Sequence, residues 1–127
     1  MVLVDTDVLI AHLRGVRAAK DWLRQARAQG RLAVSVISIA EIPGGMRSAE
    51  RREVWALLSM LRVEPVTELV ARRAGEFMRT FRFSHTGIDT PDYLIAATAD
   101  SLGAELGTLN TRHFPMFPDL QAPFPVS

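Results

Sequence analysis

At 127 residues and 14.1 kDa the chain is one domain, and 48% hydrophobic with 23% charged residues is ordinary for a globular protein with a real core. The absence of cysteine excludes disulfides and thiolate metal sites and fits a reducing, cytoplasmic setting, so a metal would be held by oxygen or imidazole. No apolar run approaches the ~20 residues of a membrane span, and two acids within Met1–Ile10 argue against a signal peptide.

The net charge is only +1, yet all fifteen basic residues except Lys20 are arginine. The planar guanidinium suits phosphate, although a coding bias toward arginine explains the same count. The charge therefore permits nucleic acid as a partner without demanding it.

Met1 to Val4 reads as a buried first strand, followed by Asp5-Thr6-Asp7 and a helix over Val8–Leu13 capped by Asp7 or Thr6. Gly15 closes that turn. A second helix spans Val16–Gln29, with Ala19, Trp22, Leu23 and Ala26 on its apolar side and Gly30 ending it. Leu32–Val36 is the second strand. Ser38 reads as the cap of a helix from Ile39 to about Arg47, with Glu41 as its capping-box partner. Pro43-Gly44-Gly45 should kink or shorten that helix.

Ser48 opens a long helix with Val54, Trp55, Leu58 and Leu61 in one stripe, which reads equally as core or as a groove for a partner. Val63–Val66 is a third strand, and Thr67 caps a helix reaching about Phe81. After a turn-rich loop over Phe83–Gly87, Thr90 caps a helix with Pro91 in its first turn and Gly103 at its end. Ala104–Leu109 is a fourth strand, Asn110 to Arg112 a loop, and the remaining proline- and aromatic-rich tail an extended edge strand or arm. Strands alternating with helix pairs predict a three-layer α/β/α fold with a mainly parallel central sheet.

In such a sheet, chemistry collects outside the carboxyl ends of the strands. Asp5 ends the first strand, Glu41 lies in the first turn after the second, Asp92 lies in the first turn of the helix before the fourth, and Asn110 follows the fourth. Each has a plain structural explanation. Asp5 can be a cap, Asp92 a first-turn charge, Glu41 the partner of Ser38 and Asn110 a turn residue. Their coincidence at one sheet edge favours a site. Clustered carboxylates repel, and a hard divalent cation such as Mg²⁺ or Mn²⁺ relieves the repulsion.

VDTDVLIA around Asp5, SVISIAEI around Glu41, PDYLIAATA around Asp92 and TLNTRHF around Asn110 together resemble the PIN-domain nucleases, most closely the VapC toxins of bacterial toxin–antitoxin pairs. The resemblance implies that Asp5, Glu41 and Asp92 hold Mg²⁺ or Mn²⁺, and that Asn110 stands where the family often has a fourth Asp. Thr6 and Thr108 match small hydroxyl positions flanking the site. It implies metal-dependent endonucleolytic cleavage of RNA by water, a homodimer, and a VapB-type antitoxin that blocks the site.

The chain departs from the pattern in three places. Asp7 replaces a small residue and reads as a helix cap rather than a charge beside the site. Asp89 is an additional acid at the helix start, in the position of a peripheral ligand. Pro43-Gly44-Gly45 interrupts what is usually a regular helix. His113 reads as a turn residue, His12 and His85 lack spaced partners for zinc, and Arg14, Arg17 and Arg112 read as surface charges or phosphate contacts. A haloacid-dehalogenase-type phosphotransferase needs a phosphate-steadying lysine, and Lys20 lies inside an early helix. The other alternative is a catalytically weak PIN-fold module that binds and regulates through its antitoxin complex.

Overall fold

A computed structural model of the protein describes residues 1–125. Strands β1 (Val2–Val4), β2 (Leu32–Ser35), β3 (Arg62–Glu64) and β4 (Glu105–Gly107) form one sheet in the order β3-β2-β1-β4. All three pairings are parallel, so the expected three-layer α/β/α fold is what forms. The helices are α1 (Thr6–Leu13), α2 (Arg17–Gln29), α3 (Val36–Gly45), α4 (Arg51–Leu58), α5 (Glu68–Phe81) and α6 (Thr90–Leu102). None among the described residues is long and apolar enough to cross a membrane.

Period-two alternation divides the core. Leu3 pairs with Ala33 and Leu106, and these three meet Val70, Ala74 and Phe77 of α5 and Ile95 of α6. Val4, Leu32 and Val34 point the other way, onto Val8, Leu9, Leu23, Ile42, Val54 and Leu58 of α1 to α4. The chain therefore steps outward from β1 to β3 with its helices on one face. It then crosses to the other face and returns to lay β4 on the free side of β1. That reversal opens a crevice at the carboxyl ends of β1 and β4, the usual place for a ligand in an open parallel sheet.

Several boundaries differ from the sequence expectation. The long helix expected from Ser48 is a short 3₁₀ turn, Ser48–Glu50, followed by the eight-residue α4. Of its stripe, Val54, Leu58 and Leu61 are core, whereas Trp55 is 44% exposed. Pro43 sits inside α3, which runs on to Gly45 and ends there. Thr67 caps α5 as expected, accepting the Val70 N–H at 3.2 Å. Gly103 takes the left-handed conformation (φ 62°) that closes α6 at little steric cost.

The tail is not an edge strand. Its prolines lack the N–H groups of a ladder, and the backbone turns instead, with Phe117 N–H donating to Phe114 O at 3.0 Å and Leu120 N–H to Phe117 O at 3.1 Å. Phe114, Phe117 and Leu120 close the end of the α5–α6 core. Val126 and Ser127 lie outside the described residues.

Candidate active site

The strand ends place the site, and the helix starts equip it. Asp5 leaves β1 in an extended conformation (φ −74°, ψ 158°) and is itself the N-cap of α1, one oxygen accepting the Thr6 N–H at 2.8 Å. Neither Thr6 nor Asp7 caps, because the helix begins at Thr6. The other Asp5 oxygen accepts the Thr108 hydroxyl at 2.7 Å, and Asp5 is only 6% exposed. Burial first, then the charge of Asp7 and more weakly that of Asp92, push its carboxyl up to about 7, although both hydrogen bonds pull it down.

Asp7 ties α1 to the end of β4, its Oδ2 accepting the Leu109 N–H at 3.0 Å. Thr108 Oγ1 lies 3.4 Å from the same oxygen, but its one proton goes to the nearer Asp5. Burial raises the Asp7 carboxyl, and the Asp92 charge adds to the rise. Asp7 Oδ1 is buried and has no hydrogen-bond partner among the described residues. Asp7 is therefore a further carboxylate beside the site and not the cap that the sequence reading favoured.

Glu41 arrives differently from expectation. Ser35, not Ser38, caps α3, its hydroxyl accepting the Ile37 N–H at 3.0 Å. Glu41 consequently falls in the second turn, and the sequence Ser38-x-x-Glu41 is not a capping box. Ser38 is fully buried within the helix and lies 2.7 Å from Thr6 Oγ1, which donates to Glu41 Oε1 at 2.8 Å. Thr6 has one proton and spends it on the carboxylate, so the Ser38 hydroxyl donates to Thr6. The result is a relay from Ser38 through Thr6 that steadies an otherwise exposed Glu41.

Asp92 lies in the first turn of α6, as expected, but Asp89 rather than Thr90 occupies the N-cap position, without a side-chain cap bond. The Asp89 side chain is exposed at the helix start. His113, in the 3₁₀ turn Thr111–His113, reaches both Asp92 Oδ2 and the Asn110 amide through Nδ1 at 3.0 Å each. Asn110 N–H donates to Thr108 Oγ1 at 3.1 Å. His113 is thus part of the site, which sequence reasoning missed.

Among the described residues, no three His, Cys, Asp or Glu side chains are gathered closely enough to clasp an ion as they stand. The donor chemistry nevertheless suits a hard cation. Every candidate ligand is an oxygen, Asp5 carries a repulsion from Asp7 and Asp92 that a cation would cancel, and Asp7 Oδ1 is left unsatisfied. Asp5, Glu41 and Asp92 are the carboxylates that would hold it, Glu41 through the oxygen that Thr6 leaves unbonded.

The sequence matches the PIN domain over residues 2–118. The chain belongs to the PIN-domain family. As a PIN domain it is 64% identical over 126 residues to the ribonuclease VapC10 of Mycobacterium tuberculosis, covering 99% of this chain and 95% of the relative. The ribonuclease VapC19 of the same organism is 45% identical over 98% of this chain and 100% of its own length. A toxin–antitoxin complex from Klebsiella pneumoniae contains a chain with the same fold at TM-score 0.81 and 26% identity, aligned over 99% of this PIN domain and 100% of that chain.

Proposed function

We propose that this PIN domain is a Mg²⁺- or Mn²⁺-dependent endoribonuclease, the toxin of a VapBC-type pair, acting in the cytoplasm as a homodimer. One observation carries the reading. A nearly buried Asp5 stands at the sheet's reversal point, raised to about 7 first by that burial and further by the charges of Asp7 and Asp92. A fold does not retain such a repulsion for stability, and strongly shifted groups in a crevice mark functional sites. The names of the two VapC relatives supply the substrate class.

In this reading Asp5, Glu41 and Asp92 hold the metal. When bound, it would lower the pKa of water and neutralise charge on the phosphodiester under attack. The chain's own groups set the geometry. Thr108 fixes one Asp5 oxygen, the Ser38–Thr6 relay fixes Glu41, and His113 fixes Asp92. The groove that would take a VapB-type antitoxin is mostly apolar, about 600 Å³, and lies between α2 and the end of α4. Leu23, Leu57 and Met60 line it together with Lys20, Arg24 and Arg27, which suits an acidic amphipathic segment.

The test is cleavage of total cellular RNA by the purified chain freed of any partner. Discrete fragments with Mn²⁺ or Mg²⁺ that vanish with EDTA are expected. No cleavage by folded, partner-free protein in either metal would replace this reading with a binding and regulatory role. Within the nuclease, Thr6→Val cuts the relay to Glu41 and should lower the cleavage rate by about 10- to 100-fold, the usual effect of losing a hydrogen bond behind a metal ligand. Thermal denaturation of the same variant checks that the fold survives.

A further inference from the structure

A second cavity shares a wall with the site. It holds about 500 Å³ between the ends of α1 and α3 and the start of α4, and Glu41 lines it. It has no residue in common with the groove between α2 and α4. Ile10, Leu13, Ile42 and Val54 give it an apolar wall, while Arg14 and Arg47 bring positive charge. Both arginines are exposed, and among the described residues neither makes an ion pair. Glu50, also in the lining, accepts the Arg47 N–H at 2.8 Å and so holds the Arg47 backbone at the start of the 3₁₀ turn.

The end of α3 leaves this space open. Gly45 is the last residue of that helix and borders the cavity, and a Cβ added to it would meet nothing within 4 Å. Its φ lies outside the left-handed region, so other residues could stand there without backbone strain. Neither the backbone nor a close neighbour requires glycine at this position. What glycine provides is room.

We propose that the cavity is the nucleotide pocket of the substrate. It takes one unpaired nucleotide of single-stranded RNA beside the bond that is cut, with the base on the apolar wall and flanking phosphates on Arg14 and Arg47. The proposal rests on the nuclease reading above and names the part of the substrate that the site grips. RNA is read mainly through single-stranded bases splayed out of the stack, and small-ligand sites hold about 300–1,000 Å³. Guanidinium forks match phosphate oxygens. An acidic protein segment could also use the two arginines, but Glu41 and Glu50 in the same lining would repel it. A phosphodiester reaches Glu41 through the cation that the site would hold.

The experiment uses the partner-free full chain and two labelled probes in Ca²⁺. One is a mixed-sequence single-stranded RNA, and the other is a ribose-phosphate chain of the same length without bases. Gly45→Leu should weaken RNA binding about ten-fold and leave binding of the abasic chain within about two-fold, because only the base loses its place. Its melting temperature should hold or rise, since leucine suits a helix better than glycine. Arg14→Gln and Arg47→Gln should weaken both probes. Each should lower the slope of log affinity against log salt by about 0.7, one phosphate contact on a single strand.

Gly45→Leu protein that binds RNA as tightly as wild type would overturn the proposal and leave the cavity to a protein partner or a second copy. Equal losses on the two probes would overturn it as well, because the base would then contribute nothing. So would a salt slope that neither arginine change alters. Wild-type protein that neither binds nor cleaves RNA would instead overturn the nuclease reading and this proposal with it. Cleavage by wild type with an indifferent Gly45→Leu overturns the pocket alone.

Discussion

In the proposed nuclease, Asp5→Asn is expected to abolish RNA cleavage while making the metal-free protein more stable at pH 8. The folded-state carboxyl is raised from 3.8 to about 7, so the native protein binds this proton more tightly than the unfolded chain does. Below about pH 4 both states are protonated and the stability is complete. As pH rises toward 7 the unfolded chain ionises first, stability falls, and above 7 the loss is fully developed. The shift corresponds to an upper limit on the order of 4 kcal/mol, and one to three is a reasonable expectation. Asparagine keeps an oxygen for the Thr6 N–H, and Thr108 can turn its proton toward Asp7 Oδ2, 3.4 Å away, to accept from the new NH₂. Melting in EDTA at pH 4, 6 and 8 checks this. The wild type should lose stability across the series, and the variant should lose distinctly less, the remainder coming from the raised Asp7 carboxyl. Added Mn²⁺ should stabilise only the wild type, by linkage to a bound ligand. A variant less stable than wild type at every pH would show that Asp5 is chiefly a structural cap.

Gly107→Val should be among the most destabilising single changes in the protein. The indole of Trp22 lies on the Gly107 backbone so closely that an added Cβ would meet its Cη2 at 2.5 Å and Cζ2 at 3.2 Å. Neither neighbour can easily give way. Gly107 is the β4 residue paired with Val4, its carbonyl accepts the Asp5 N–H at 2.8 Å, and the half-buried Trp22 packs against the core formed by α1 to α4. Overpacking of this kind costs about 2–3 kcal/mol, a fall in melting temperature on the order of 10 °C. Moving β4 by even a fraction of an ångström would also disturb Thr108, so activity should fall beyond what unfolding explains. A cycle with Trp22→Leu tests the cause. If the indole is the obstacle, Gly107→Val should cost clearly less in the Trp22→Leu background, a coupling that independent sites would not show.

Much of this was legible in the chain, for reasons that differ by element. The α/β order and the parallel sheet followed from short apolar runs alternating with helical periodicity, which survive almost any tertiary context. Asp5 and Asp92 were legible because a strand end and a helix start announce themselves locally. What escaped was what depends on side chains from distant segments. Ser35 and Ser38 are three residues apart with the same hydroxyl, and only the position of Thr6 decides that the first caps while the second braces Glu41. Asp7 looked like a cap because Leu109, its actual partner, is 102 residues away. His113 looked like a turn residue because its link to Asp92 exists only once α6 and the loop after β4 stand side by side. The tail's apolar residues promised an edge strand or an arm, but its prolines deny the ladder and the backbone turns. The carry-over of Asp5, Glu41 and Asp92 as metal ligands rests on resemblance and on the electrostatics above.

The late arrival of β4 also bears on when the protein can act. β1, the first strand, has one edge open until β4 pairs with it, and Asp5 lacks the Thr108 hydroxyl bond until a residue 103 positions later is made. His113 reaches Asp92 from later still. On a ribosome, where synthesis runs from the first residue to the last, the helices and three strands emerge while the crevice is unfinished. The same topology that sets β4 beside β1 thus works as a delay, and the crevice of the proposed nuclease stays unassembled until β4 and the loop after it have been made.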